Sequence, residues 1–145
     1  MLSKDSQEAR WAELCARSEE KYEDKDCAVK ALAVVCDVSY NKAHQIMTSN
    51  GRRRNKGTPL WVTQRSIRDL GYECHLLPED HPLYKQKTIK SLEKKLLYNS
   101  RHTYLIRTAK HILAATGGRV IDWTGGRLHR VQQIFEVVKK DLDSD

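Results

Sequence analysis

Residues 110–123 read KHILAATGGRVIDW. Two apolar, partly β-branched runs flank Gly117-Gly118, and a glycine pair supplies the positive φ angles of a two-residue hairpin loop. With those glycines as the loop, Thr116 pairs with Arg119, and counting back sets Leu113 opposite Asp122. His111 then lies two residues before Leu113 on the same face, diagonal to Asp122. Diagonal cross-strand neighbours sit about 7–8 Å apart at Cα, so this spacing permits an Asp–His hydrogen bond. A register slip of one residue would turn the two side chains to opposite faces.

Working outward, HTYLIRT before this hairpin reads as another strand, giving an antiparallel meander. The stretch RLHRVQQIFEVVKKDLDSD reads as a final strand running into an acidic tail, with residues 139–145 expected to fray. Upstream, the period changes to that of helices. A helix is expected within residues 1–22, from about Ser6 to Lys21. A second, buried one starts at Cys27 after Asp26 as N-cap, and a third runs from a Ser39 cap to Asn50-Gly51. Thr58-Pro59 reads as cap and first helical residue of a fourth helix that Gly71 stops. Tyr72 to Leu77 reads as a strand and PEDHP as a turn, and a short helix begins at a Thr88 cap. Helices first and sheet second predict an α+β fold in a single domain over residues 1–145.

The buried helix raises a chemical question, because DKDCAVKALAVVC opens on a cysteine. The first turn of a helix has free N–H groups and the positive end of the macrodipole, which favour a thiolate over a thiol. A nucleophilic thiolate needs a base, and the base needs an orienting group. Cys27, His111 and Asp122 supply that order of roles. Cys15, Cys36 and Cys74 show no paired spacing, so free thiols in a reducing compartment are expected.

Cysteine at a helix start, histidine on a strand, and aspartate on the next strand is the papain-like order. The chain resembles small phage-encoded papain-like cysteine peptidases, relatives of the bacteriocin-processing (double-glycine) peptidases. The resemblance rests on Asp26-Cys27, the Gly51–Pro59 loop, and His111 with Asp122, and runs from about Lys21 to Trp123. It implies a papain-like fold, with N-terminal helices packed on a C-terminal antiparallel sheet. It also implies Cys27 as nucleophile, His111 as base, Asp122 as its orienter, and Trp123 as a shield over the His–Asp contact. The oxyanion would meet the Cys27 backbone N–H and a second donor. The glutamine usual before the cysteine is missing, leaving Lys21 or Lys25 as candidates, and Lys110 replaces a common glycine.

The formal net charge is +7, which favours acidic partners. GRRRNKGTP, residues 51–59, concentrates it: Arg52, Arg53, Arg54 and Lys56 precede Thr58, at whose helix start an anion would bind. The alternative to a hydrolase acting on a protein or peptide is thus an inactive papain-like domain docking this loop onto nucleic acid or an acidic host protein. Tyr40, Trp61 and Tyr72 are the aromatic residues available for stacking. Cys74-His75 with His81 lacks paired metal-ligand spacing, and His44, His102 and His129 have no evident partners, so neither metal nor cofactor is expected. No apolar run suits a membrane span or a signal peptide, and a cytoplasmic setting, the host's if phage-encoded, is expected.

Overall fold

The computed structural model describes residues 1–98 and 100–140. Helix α1 (Lys4–Glu20) starts two residues earlier than its composition indicates, because the Ser3 hydroxyl accepts from the Ser6 N–H and caps it. Helix α2 (Cys27–Val35) is buried on nearly every side: Ala28, Val29, Ala31, Leu32, Ala33, Val34 and Val35 all lose contact with solvent. Helix α3 (Tyr40–Ser49) is capped by Ser39, which accepts from the Lys42 N–H. It stops at Asn50, before Gly51 with φ +104°.

Helix α4 (Leu60–Asp69) corrects the expected start. Pro59 occupies the N-cap position rather than the first turn, and Thr58 makes no capping bond; its hydroxyl accepts from Arg52 Nε instead, at 3.1 Å. Strand β1 (Tyr72–Leu76) and a 3-10 turn (Pro82–Lys85) lead to α5 (Ile89–Leu96), which opens on a reciprocal Thr88–Ser91 capping box. Strands β2 (Thr103–Thr108), β3 (His111–Thr116), β4 (Arg119–Ile121) and β5 (Gln133–Lys139) follow.

All five strands form one antiparallel sheet in the order β1-β5-β2-β3-β4. The meander β2-β3-β4 has the expected register, with Thr116 opposite Arg119 and Ala114 opposite Ile121. Strand β1 precedes α5, as the Tyr72 to Leu77 and Thr88 readings expect. The final strand enters the sheet between β1 and β2. Of the expected frayed tail, Lys139 pairs with Tyr72 and the Lys140 N–H donates to the Gly71 carbonyl at 2.8 Å. Residues 141–145 lie outside the described residues.

The sheet is covered on both faces, which is why β3 reads as an apolar run rather than an alternation. Leu105, Ile112, Ala114, Ile121, Phe135 and Val137 pack with α1–α4. Tyr104, Ile106, Leu113, Ala115, Val120 and Ile134 pack on the other side with Ile89, Leu92 and Leu96 of α5. The fold is therefore α+β. Leu32 of α2 is fully buried in the larger core, and truncating such a leucine to alanine costs about 2–5 kcal/mol.

Candidate active site

The segment before Cys27 carries four ionisable side chains in a row, Glu23 to Asp26, and would not order itself without partners. Glu23 supplies the anchor. Its buried carboxylate accepts from Arg52 Nη1 at 2.7 Å and Nη2 at 3.1 Å, and from the Asn55 N–H at 2.9 Å. His44 Nε2 lies 2.7 Å away. Burial would raise the Glu23 pKa, but the Arg52, Asn55 and His44 hydrogen bonds outweigh it and hold the group down at about 2. Arg52 Nη2 also reaches the Lys25 carbonyl, and the Asp24 N–H donates to Asn55 Oδ1. The loop at 51–56 is thus stitched to the segment that delivers Cys27.

This corrects the reading of the basic loop. Arg52 is 4% exposed and neutralised by Glu23, so it faces no external anion. Thr58 is engaged by Arg52, and Arg54 donates to the Lys21 carbonyl at 2.6 Å while lying over the Tyr22 ring. Arg53 and Lys56 remain exposed. Of the aromatic residues, Tyr40 is buried and donates to Asp26 at 2.6 Å, Tyr72 packs against the core, and Trp61 is exposed.

Asp26 occupies the N-cap position of α2 without capping it, its carboxylate being taken by Tyr40 and by Lys30 at 3.2 Å. The first turn, with Cys27, is left without a side-chain cap. Burial raises the Cys27 pKa, but hydrogen bonds from His111 and from the Ile112 backbone, together with the His111 charge, bring it below the usual thiol value. Cys36 and Cys74 go the other way, pushed up by burial to about 12 and about 11, and burial also raises Cys15. One thiol of four is activated, and it is the one met by an imidazole.

His111 opens β3, and Asp122 follows the end of β4. His111 Nε2 lies 2.8 Å from Asp122 Oδ2, the diagonal contact that the hairpin count permits. Burial lowers the His111 pKa, but the Asp122 hydrogen bond, the Cys27 contact and both charges raise it to about 9. The Trp123 ring lies tilted against His111, centroids 5.2 Å apart, with Arg127 over its ring and the His129 ring edge-on to it at 5.1 Å. Residue 110 takes φ +58°, the left-handed backbone that glycine favours, although it is a lysine.

One neighbour of this group went unread in the sequence. Thr124, fully buried, donates its backbone N–H at 3.1 Å and its hydroxyl at 2.6 Å to the same Asp122 oxygen that meets His111. Its signal is present in Asp122-Trp123-Thr124, since an aspartate commonly bonds the backbone two residues on.

Two clefts flank Cys27, His111 and Lys110. The larger, of about 450 Å³, is lined by Trp11, Asp24, Lys25, Asp26, Lys30, Asp122 and Trp123. The smaller, of about 190 Å³, is lined by Ala28, Thr58, Leu60, Arg107, Thr108 and Ile112. Lys25 stands in the larger cleft, where the sequence reading requires an oxyanion donor. Lys21 does not; it lines a separate hollow with Tyr22, His44 and Arg54. Lys30, one helical turn beyond Cys27, lines the cleft as well, held over the Trp11 ring at 5.1 Å.

A lowered thiol, a raised imidazole and a hydrogen-bonded carboxylate, at the junction of two clefts, can attack a carbonyl and transfer a proton to its leaving group. Among the described residues no His, Cys, Asp or Glu group is arranged to hold a metal ion, and no helix is long and apolar enough to cross a membrane. Searches against family models, characterised proteins and solved structures found no match to the chain.

Proposed function

We propose that the chain is a cysteine peptidase-like thiol hydrolase of papain-like fold. The observation that carries this reading is His111, 2.8 Å from Asp122 and lining both clefts together with Cys27, the one cysteine whose pKa is lowered. The Cys27 thiolate attacks the carbonyl carbon of an amide, isopeptide or thioester. The oxyanion is met by the first-turn N–H groups of α2, with Lys25, which lines the same cleft, as the second donor. His111, held as imidazolium by Asp122, passes its proton to the leaving nitrogen or sulfur as the bond breaks. Water then attacks the acyl thioester, giving its proton back to His111 and releasing the acid and the Cys27 thiolate. The same steps with a glutamine side chain as substrate amount to deamidation, and with an amine in place of water, to acyl transfer.

Brief iodoacetamide treatment near neutral pH, read by intact mass and peptide mapping, tests the reading. Cys27 is expected to label first, and His111→Ala to suppress that preference. Incubation with a peptide pool is expected to give fragments or deamidated products that Cys27→Ala does not give. Equal, slow labelling of all four cysteines would overturn the proposal.

A further inference from the structure

The two clefts beside Cys27 differ in charge. The larger one mixes signs, since Asp24, Asp26 and Asp122 share it with Lys25 and Lys30. Among the described residues the smaller one contains no carboxylate. Its ionisable lining, apart from Cys27, is Arg107, Lys110 and His111. Arg107 is half-buried on β2 and its guanidinium donates to the neutral Gln133 side chain at 2.6 Å, and among the described residues no carboxylate pairs with it. Lys110 is exposed on the β2–β3 turn and borders both clefts. Its left-handed backbone fixes where the side chain leaves the turn. Of the remaining walls, Ala28, Leu60 and Ile112 are apolar, and Thr58 and Thr108 add hydroxyls. The apolar walls lower the local dielectric and strengthen the attraction of the cations for an incoming charge. A volume of about 190 Å³ suits one side chain rather than a folded surface.

We infer that the smaller cleft is a specificity pocket for one acidic side chain of the substrate, Asp or Glu, held by Arg107 and Lys110 beside the carbonyl that Cys27 attacks. The inference rests on the proposed function and names its substrate class: acyl compounds with a carboxylate next to the reacting bond. Arg107 and Lys110 are specificity residues in this scheme and take no part in bond making.

The test uses two small electrophiles that differ only in charge, N-iodoacetyl-glutamic acid α-amide and N-iodoacetyl-glutamine α-amide. In each, the Cys27 sulfur displaces iodide from the CH₂ carbon, and the side chain is free to enter either cleft. With the full chain, the glutamate reagent is expected to alkylate Cys27 about fivefold faster than its isostere, and added salt to shrink the ratio. Lys110→Gln and Arg107→Gln/Lys110→Gln are expected to bring the ratio towards one, each rate being taken relative to the iodoacetamide rate of the same variant. Lys25→Gln, in the larger cleft, is expected to leave the ratio unchanged. Equal rates in the parent chain, or a ratio that Lys25→Gln lowers as much as Lys110→Gln, would overturn the inference. Because Lys110 lies on an exposed turn, its single variant reports even if the double variant fails to fold. Failure of the thiol chemistry itself looks different: neither reagent then prefers Cys27 over the other cysteines.

Discussion

Thr124 gives two hydrogen bonds to a single oxygen of Asp122, the one that also meets His111. Three hydrogen-bond contacts on one carboxylate oxygen fix its direction, so Thr124 acts on the imidazole through Asp122. Thr124→Val keeps the shape and removes the hydroxyl donor. It is expected to slow Cys27 alkylation by about tenfold and to shift the pH profile of that reaction, with Thr124→Ser restoring both. A valine variant with the parent profile would reduce Thr124 to packing.

The rate of Cys27 alkylation is expected to rise with pH below the ordinary thiol range, because Cys27 is lowered from its usual value. A second inflection is expected near 9, where His111 loses its proton and the thiolate loses its counter-charge. Asp122→Asn removes the charge that raises His111, so the upper inflection should move down towards the ordinary histidine value of about 6.5. Stopped-flow alkylation across pH 5–10 reads both.

Glu23 and Arg52 predict an acid limb in stability. The folded Glu23 carboxyl is depressed to about 2 from an ordinary 4.5. Its contribution is fully present above 4.5 and is lost as pH falls towards 2. Urea denaturation at a series of pH values should show that decline. Glu23→Ala should remove Glu23's share of it and destabilise the protein at neutral pH by about 3–5 kcal/mol, because Arg52 is left buried without an anion.

Gly117 and Gly126 separate steric clash from backbone strain. Both have positive φ, +58° and +76°, but a Cβ at 117 would stand 2.7 Å from Leu2 Cβ and 2.9 Å from Leu2 N, whereas a Cβ at 126 meets nothing within 4 Å. Gly126→Ala is expected to cost about 1 kcal/mol from strain alone. Gly117→Ala should cost about 1–3 kcal/mol more by breaking the Leu2 contact, which includes the Leu2 N–H to Gly117 carbonyl bond. Thermal melts of the two variants measure the difference.

The parts of this molecule legible in its sequence are those whose cause is local. The Gly117-Gly118 loop fixes a register, and the register brings His111 to Asp122. Ser39 and Thr88 cap the helices they precede. The coarse α+β class followed from the change in hydrophobic period. Much of what escaped depended on residues apart in the chain, although Thr124, two positions from Asp122, went unread as well. Arg52 looks like one of a solvated cluster until Glu23, 29 positions earlier, takes it inside. Thr58 looks like a cap until Arg52 claims its hydroxyl. The seat of β5 between β1 and β2 is a choice among pairings that no local pattern specifies.

That seat orders events on the ribosome. Residues 133–139 are synthesised after every other strand, yet they close the gap between β1 and the β2–β3 hairpin. Until they emerge, β2 keeps a bare edge and β1 has no neighbour to bond. The hairpin that bears His111 therefore gains its rigid support only when translation has passed residue 139, so a nascent chain stalled earlier holds its thiol and imidazole on an unfinished frame.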